Sequence, residues 1–450
     1  MKERDLNDYS NCYDKVDLAS KMNNLEMEFG VEDFEGDYKN LVNPSRSKNH
    51  PFYSWGRYRE AYSGELVRKL ISVSSLNPTQ EIVVDPMCGS GSTLLASAEL
   101  GFDAFGLDVM PYSVKLSQSK FIKLNDAQIR LIKEILNQIL DSGVQPSQIS
   151  SGEESIRKYF NNENFLELIA IKQVFSQIND KDVFALCKIA WLSILEECSN
   201  KKKDGNGLAT KETKITDCFQ YFKNKLETMM NDIKNRNYEL KNTDVFCESA
   251  TSLAETVHKS LGNKTVGLVI FSPPYANSFD YFESYKIELI MGGWYTLETL
   301  PEGRKKAIRS YRKGYRNGLL SSEDDLINLL CDEIDQRRKN KEEMSHKKDN
   351  RNRLVPNLIV GYFSDMEAVL SNIFEILPSG KSCYIVVDQS SYLGAIIPTD
   401  LLLAYLGRRL GFVVEPIMYC RPSNTSPQQS KQFPYLKSML RESIVHLKKS

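Results

Sequence analysis

Residues 81–93 read Glu-Ile-Val-Val-Asp-Pro-Met-Cys-Gly-Ser-Gly-Ser-Thr, and this stretch decides the fold. The apolar run at 81–85 predicts a buried strand that ends in an acid, and the turn Gly89-x-Gly91 leads into a helix of small residues. A second predicted strand, 104–108, ends in another acid, Asp108. Strand, glycine turn, helix, strand and acid in this order predict the start of a parallel α/β sheet.

The glycine turn has the features of a ligand-binding loop. Glycine lets the backbone turn tightly and approach a ligand closely, and the next helix begins with free N–H groups. Asp108 lies where an acid can accept hydrogen bonds from ribose hydroxyls. The alternative reading is that Asp85 and Asp108 only cap helices. The turn has neither the GxGxxG pattern nor a Walker lysine, which argues against NAD and ATP.

A second motif follows another apolar strand, 266–271, which runs directly into Ser272-Pro273-Pro274-Tyr275. Prolines cannot continue a strand's hydrogen-bond ladder, so they predict a rigid strand end at the carboxyl edge of the sheet, where ligands bind. The Ser272 hydroxyl and the carbonyls of Ser272 and Pro273 suit an exocyclic amino group, and the tyrosine suits a planar base. Alone, the tetrapeptide is also compatible with a plain proline turn.

Composition limits the remaining possibilities. The chain has 450 residues, with 58 Lys plus Arg against 59 Asp plus Glu, so a nucleic-acid surface would have to be local. No long apolar run or signal-peptide core is present, so we expect a cytoplasmic protein that does not enter a membrane. Nine cysteines without a CxxC pair and four dispersed histidines predict reduced thiols and no metal site.

These motifs resemble those of one family. Residues 85–93 look like the DPxxGSGTT cofactor loop of the bacterial S-adenosylmethionine-dependent DNA amino-methyltransferases, and Ser272–Tyr275 looks like their [DNS]PP[YF] motif. Serine in the first position is typical of the N4-cytosine type. The segments 50–63, 277–289, 361–366 and 397–400 also resemble one bacterial branch. Two departures are Met87-Cys88 in the loop and Cys247-Glu248-Ser249 where Gly-Asp is frequent.

The resemblance implies a Rossmann-like class I methyltransferase fold, with a mostly parallel twisted sheet, a helical insertion and a charged target-recognition region. We expect an accessory arm at 1–45, a cofactor-binding part at 46–124 and the helical insertion at 125–240. The catalytic part would follow at 241–295, a basic and candidate DNA-recognition segment at 296–355, and the end of the sheet at 356–450.

The resemblance also implies site residues. S-adenosyl-L-methionine would be bound by Tyr62, Asp85, Pro86, Gly89, Ser90, Gly91, Asp108 and Glu248. Ser272, Pro273, Pro274 and Tyr275 would be catalytic, with direct methyl transfer to cytosine N4 and no covalent enzyme intermediate. A cytosine-C5 enzyme would need a Pro-Cys nucleophile, and the chain has no Pro-Cys dipeptide.

A duplex substrate requires base flipping and phosphate contacts. The predicted DNA-binding residues come from three segments, and the sequence does not choose among them: Arg304, Lys305, Arg309, Arg312, Lys313 and Arg316 in 301–316, Lys201 in 201–207, which is expected to close a helix of the insertion, and Arg421. The alternative interpretation of segment 301–316 is a solvated charged loop that does not bind DNA. The partners expected are double-stranded DNA and, as a separate protein, the endonuclease of a restriction-modification system.

Three other functions remain open. An adenine-N6 DNA methyltransferase differs only in the target base. An RNA guanine-N2 methyltransferase shares the cofactor loop but usually carries Asp-Pro-Pro-Tyr-Gly, whereas Ala276 follows Tyr275 here. A non-catalytic nucleic-acid-binding protein with a relic fold would not need Gly89, Gly91, Asp108 and Ser-Pro-Pro-Tyr intact.

Overall fold

A ten-stranded sheet forms the centre of the computed structural model, which describes residues 2–58, 61–141, 146, 148–205, 207–312, 322–423 and 425–450. The strands are β1 (Lys2–Glu3), β2 (Val31–Asp33), β3 (Glu81–Asp85), β4 (Asp103–Leu107), β5 (Lys201–Asp204), β6 (Gly207–Thr210), β7 (Thr243–Phe246), β8 (Thr265–Phe271), β9 (Ser382–Asp388), β10 (Ser390–Tyr392), β11 (Ala395–Ile397), β12 (Phe412–Val414), β13 (Ile417–Pro422) and β14 (Arg441–Lys449). The sheet order is β1-β2-β13-β14-β9-β8-β3-β4-β7, and β12 pairs with the end of β14.

The strand order reverses beside β3. The chain proceeds from β3 to β4 and β7 on one side, and from β8 to β9 on the other, with all these neighbours parallel. β14 is antiparallel to β9 and β13. This order confirms the predicted Rossmann-like, mostly parallel sheet. Ligands of such sheets bind at the carboxyl edge where the order reverses, which is between the loops after β3 and β8.

Helices cover both faces of the sheet. They are α1 (Val16–Phe29), α2 (Glu35–Tyr38), α3 (Gly64–Val73), α4 (Ser92–Glu99), α5 (Pro111–Ser119), α6 (Asp126–Asp141), α7 (Ser151–Ile156), α8 (Asn162–Phe175), α9 (Lys181–Cys198), α10 (Cys218–Lys234), α11 (Leu253–Ser260), α12 (Tyr281–Ser284), α13 (Lys286–Met291), α14 (Leu300–Arg304), α15 (Asp325–Ser345), α16 (Val355–Ile376), α17 (Thr399–Arg409), α18 (Pro427–Gln432) and α19 (Leu436–Met439). Alternate strand residues face opposite sides, so Val84 packs with α11, α15, α16 and α17, and Val83 packs with α3.

The segment expected as a helical insertion contains α6 to α10, which surround a separate apolar core that includes Trp191 and Phe222. This core continues into α12 and α13, which follow the Ser-Pro-Pro-Tyr motif in the chain. One local prediction is wrong: Lys201–Gly207 does not close a helix, because α9 ends at Cys198 and β5 and β6 form a hairpin. Gly205-Asn206 between the strands is a hairpin signal, and Lys203 is buried against Glu196 and Glu288.

The segment predicted as an N-terminal accessory arm is built into the main body. β2 pairs in parallel with β13, and α1 packs against α17 and α15. Arg441 on β14 is buried and forms ion pairs with Glu26 of α1 and with Asp400 of α17. The charged composition of this segment had suggested an arm outside the core. The helix can nevertheless pack inside, because the buried Arg441 neutralises the buried carboxylate of Glu26.

All nine cysteines are free thiols, and eight of them are buried as predicted, whereas Cys247 is exposed. Across the described ranges, no helix is both long and apolar enough to cross a membrane.

Candidate active site

A cavity of about 840 Å³ opens where the strand order reverses. Loops from both sides of that point line it, together with the segment before α3 and the segment from α14 onward. The lining residues are Tyr58, Ala61, Tyr62, 85–90, Ser92, 108–110, 248–250, Ser272, Pro274, 279–282, Pro301 and 304–311. The predicted cofactor loop and the predicted catalytic loop therefore face one shared space.

The glycine turn has the backbone that its sequence predicts. Gly89 and Gly91 have φ angles of +50° and +80°. A Cβ at Gly89 would lie 2.7 Å from the Tyr58 ring, and one at Gly91 would lie 2.6 Å from Ser117 Oγ. Both positions thus need glycine for conformation and for space. Gly91 is not among the residues that line the cavity, so it shapes the turn from behind.

Helix α5 and the residue that follows it hold this turn from behind. Ser117 Oγ donates a hydrogen bond to the Gly89 carbonyl at 3.0 Å, and Lys120 Nζ donates one to the Ser90 carbonyl at 2.6 Å. Lys120 is buried, and burial lowers its pKa to about 7. The two carbonyls are therefore held on the side of the turn that faces α5. The sequence did not predict either residue, because neither belongs to a motif. Neither of them lines the cavity.

Asp85 anchors the other end of the loop. Its carboxylate accepts hydrogen bonds from Thr93 Oγ1 at 2.6 Å, Tyr62 OH at 3.1 Å and the Met87 N–H at 3.0 Å. Burial raises the pKa of Asp85 to about 7. Tyr62 and Asp85, both predicted cofactor residues, thus belong to one hydrogen-bonded cluster at the wall of the cavity.

Asp108 and Glu248 lie at the ends of β4 and β7. Asp108 accepts hydrogen bonds from the Gly89 and Met110 N–H groups at 3.0 and 2.8 Å. Burial raises its pKa to about 6, against the lowering effect of these donors. Glu248 is exposed at the cavity rim. The two carboxylates give this part of the cavity hydrogen-bond acceptors beside the glycine turn.

The loop after β8 contributes Ser272 and Pro274 to the cavity, whereas Pro273 and Tyr275 do not line it. Tyr275 belongs to the buried core, and its hydroxyl lies 3.5 Å from Ser272 Oγ. The next carbonyl, that of Ala276, accepts a hydrogen bond from Tyr392 OH at 2.9 Å. The structure therefore places the serine at the surface of the cavity and the tyrosine below it.

Comparison with known proteins finds similarity to DNA methylases and Type II methyltransferases. The family model for the DNA methylases matches residues 6–119, which include the glycine turn and Asp108. Type II methyltransferase M.AvaI from Nostoc sp. is 25% identical over an alignment that covers 84% of this chain and 83% of that protein. Type II methyltransferase M.BsoBI from Geobacillus stearothermophilus is 25% identical over an alignment that covers 96% of this chain and 93% of that protein. The chain is a relative of the bacterial DNA N4/N6 methyltransferases.

Among solved structures, the rRNA methyltransferase aviRa from Streptomyces viridochromogenes aligns with 86% of this chain and 85% of its own. The identity is 7% and the TM-score is 0.28, so this match adds nothing to the fold assignment, which rests on the strand order.

Part of the basic segment borders the cavity, and three of its cations there already have carboxylate partners. Arg304 forms ion pairs with Asp280 at 3.0 Å and Glu283 at 3.3 Å. Arg309 pairs with Asp365 at 2.6 Å, and Lys305 pairs with Glu302 at 2.7 Å. Arg304, Lys305 and Arg309 also line the cavity. The segment thus forms a wall held by carboxylates.

The other predicted DNA-binding residues lie apart from the cavity lining. Lys201 donates a hydrogen bond to Thr210 Oγ1 across the hairpin at 2.8 Å, and Arg421 is paired with Glu442. Arg312 donates hydrogen bonds to Ser278 Oγ at 2.7 Å and to the Arg351 carbonyl at 2.5 Å. Lys313 and Arg316 lie outside the described residues.

Aromatic side chains at the cavity were missed as site residues. Tyr58 stacks on Tyr285 with ring centroids 5.2 Å apart, and Phe279 meets Tyr281 edge-on at 4.6 Å. Tyr311 lines the same space. Their only sequence signal was their position beside the quoted motifs, since isolated aromatic residues are more often part of a core.

Proposed function

We propose that this protein transfers a methyl group from S-adenosylmethionine to N4 of a cytosine flipped out of duplex DNA. One observation carries the proposal: Gly89 and Ser90 of the glycine turn after β3 line the same cavity as Ser272 and Pro274 after β8. The kinship with DNA N4/N6 methyltransferases supports the reaction class, and the serine of the catalytic motif supports cytosine as the base.

The cavity suits the cofactor in size and chemistry. A volume of about 840 Å³ lies within the range of about 300–1,000 Å³ for ligand sites. Asp108 and Glu248 supply acceptors for ribose hydroxyls, and Met87, Val109 and Met110 supply apolar surface for a flat adenine. When bound, S-adenosylmethionine supplies a sulfonium-activated methyl group. Tyr62, Asp85, Pro86, Ser90 and both glycines would then act by shaping the loop that holds it.

The catalytic loop would hold the target base. The Ser272 hydroxyl and the Ser272 and Pro273 carbonyls can accept the two N–H hydrogens of a cytosine amino group. Positioning and hydrogen bonding are the chain's contribution to the rate, because the methyl group arrives already activated. Phe279, Tyr281 and Tyr311 are among the aromatic side chains that line the cavity, and we propose that they stack on the base, while Tyr275 supports the loop from below.

Flipping the cytosine costs a few kcal/mol, which contacts to DNA phosphates would offset. We further propose that methylation is site-specific, that it protects DNA in a restriction-modification system whose endonuclease is a separate protein, and that it takes place in the cytoplasm. The similarity to two Type II methyltransferases over most of the chain supports the first two points.

The decisive experiment incubates the protein with methyl-labelled S-adenosylmethionine and either duplex DNA or tRNA, digests the product to nucleosides and identifies the labelled one. We expect N4-methylcytosine from duplex DNA. Ser272→Ala should lose most of the transfer but keep cofactor binding in calorimetry, since Ser272 is assigned to the base.

The other outcomes each identify a different function. N6-methyladenine as the labelled product would show that the target base is adenine and not cytosine. Methylguanine from tRNA would indicate an RNA enzyme. Binding of DNA without any transfer would leave a non-catalytic binding protein. Sequencing of genomic DNA from an expressing host, with detection of modified bases, would then define the recognition site.

A further inference from the structure

The carboxyl-terminal end of α15 and the turn after it form a basic surface within the expected DNA-recognition segment 296–355, but none of its residues was among the predicted DNA-binding residues. The last buried side chain of α15 is that of Ile334, and residues 335–345 contribute none to the core. The basic turn, residues 346–353, follows and carries Lys347, Lys348, Arg351 and Arg353. All four side chains are exposed. Packing into the core therefore does not account for these four cations.

The basic turn lies beside the catalytic loop. Arg312 joins the two through hydrogen bonds to Ser278 Oγ and to the Arg351 carbonyl. Helix α16 starts at Val355 and leads into β9, so its first turn is at the carboxyl edge of the sheet, as Ser272 is. The turn therefore stands at the same edge as the cavity.

The charge of the basic turn is not neutralised by the protein. Within the part of the chain that the structure describes, none of these four cations has an ion pair. Asp349, the only acid in the turn, is paired with Lys341 at 2.7 Å. By contrast, Arg304, Arg309 and Arg421, which the sequence favoured, each have a carboxylate partner. An exposed cation without a partner gains more from a phosphate than one that must first leave a carboxylate.

We propose that Lys347, Lys348, Arg351 and Arg353 bind the phosphate backbone of duplex DNA beside the flipped base. This inference rests on the proposed function and names the surface that positions its substrate. Clustered surface cations contact phosphates without reading sequence, so the turn sets the register of the duplex on the protein. Its connection to the catalytic loop through Arg312 would place the bound strand near the cavity entrance.

The test compares three double variants that each remove two positive charges: K347A/K348A, R351A/R353A and, as a matched control, K259A/K448A. Lys259 lies in the last turn of α11, which precedes β8, and Lys448 pairs opposite Ser382, so both control residues lie at the amino edge of the sheet. Affinity for a duplex of arbitrary sequence is measured by fluorescence anisotropy between about 50 and 200 mM salt. Calorimetry of S-adenosylmethionine binding and thermal unfolding report whether each variant is intact.

For each variant of the turn we expect weaker DNA binding and a salt slope, d(log K)/d(log[salt]), that is shallower by about 1.8, which corresponds to two lost phosphate contacts. Cofactor affinity should stay at the wild-type value, because none of these four residues lines the cavity. The charge-conserving variant K347R/K348R should restore the wild-type slope. The amino-edge control should bind DNA as the wild type does.

Wild-type slopes in both variants of the turn, or an equal loss in the amino-edge control, would overturn the inference. If the wild-type protein still methylates DNA in that case, the proposed function stands and only the surface is wrong. A wild-type protein that neither binds nor methylates DNA would refute the proposed function itself.

Discussion

Gly91→Ala is the sharpest test of how the cofactor turn is built. Gly91 has a φ of +80°, a left-handed conformation that an L side chain adopts only with strain. A Cβ there would lie 2.6 Å from Ser117 Oγ, 3.0 Å from Ser117 Cβ and 3.3 Å from Ser117 Cα. The last two atoms belong to the body of α5, so a rotation of the serine hydroxyl cannot relieve the contact.

Two costs add in this variant. The left-handed conformation costs alanine roughly 1–2 kcal/mol, and insertion of a methyl group into a packed site costs typically about 1–3 kcal/mol. Gly380→Ala isolates the first cost, because Gly380 also has a φ of +80° but a Cβ there would meet no atom within 4 Å. Only the Gly91 variant should therefore displace the turn.

Thermal unfolding and calorimetric titration with S-adenosylmethionine measure the two effects. We expect Gly91→Ala to unfold at a lower temperature than Gly380→Ala. If the steric cost of about 1–3 kcal/mol is borne by the cofactor-bound turn, the Kd for S-adenosylmethionine should rise roughly 5- to 150-fold. Gly380→Ala should bind the cofactor as the wild type does. Equal melting temperatures for the two variants, together with a wild-type Kd for Gly91→Ala, would refute this account of the turn.

Three further predictions concern buried charges. Burial raises the pKa of Asp108 to about 6, so S-adenosylmethionine affinity should fall about tenfold per pH unit below 6 as the acceptor carboxylate is protonated, and Asp108→Asn should lack this dependence. Arg441→Ala would leave the carboxylates of Glu26 and Asp400 buried without their cation, and it should destabilise the fold by about 3–5 kcal/mol in thermal unfolding. Burial lowers the pKa of Lys120 from 10.5 to about 7. Between pH 7 and pH 10.5 the unfolded chain therefore binds more protons than the folded chain, and the free energy of unfolding rises with pH. Lys120→Met should lack that rise.

Each of these predictions has an outcome that contradicts it. For Asp108, it is an affinity that changes with pH equally in the wild type and the asparagine variant. For Arg441, it is a loss no larger than that of Arg421→Ala, whose ion pair with Glu442 is more exposed. For Lys120, it is a stability difference between the wild type and the methionine variant that stays constant from pH 7 upward.

The sequence was most informative where local backbone chemistry determines structure. The glycine turn and the Ser-Pro-Pro-Tyr loop were located correctly, because glycine and proline restrict the backbone whatever surrounds them. It was least informative where a charged residue becomes buried. The helix containing Glu26 looked like part of a polar arm, and the lysine-rich hairpin looked like the end of a helix, since each acquires its buried partner from a distant part of the chain.

The candidate site shows the same limit. Asp85, Asp108 and Ser272 follow strands and could be expected to meet at one edge of the sheet. Ser117 and Lys120 hold the turn from α5, and no local pattern marks them. Whether a cation is free or paired also depends on neighbours that are remote in the chain: Arg309 meets Asp365, 56 residues away.

Residue types that act over a few neighbouring positions were enough to predict the class of fold, the order of its first strands, the glycine turn and the Ser-Pro-Pro-Tyr loop. Only the tertiary structure decided that both loops share one cavity, that Tyr275 lies beneath it, and which cations face solvent without an acidic neighbour. Those features depend on distances between segments brought together by folding, and a linear pattern does not contain these distances.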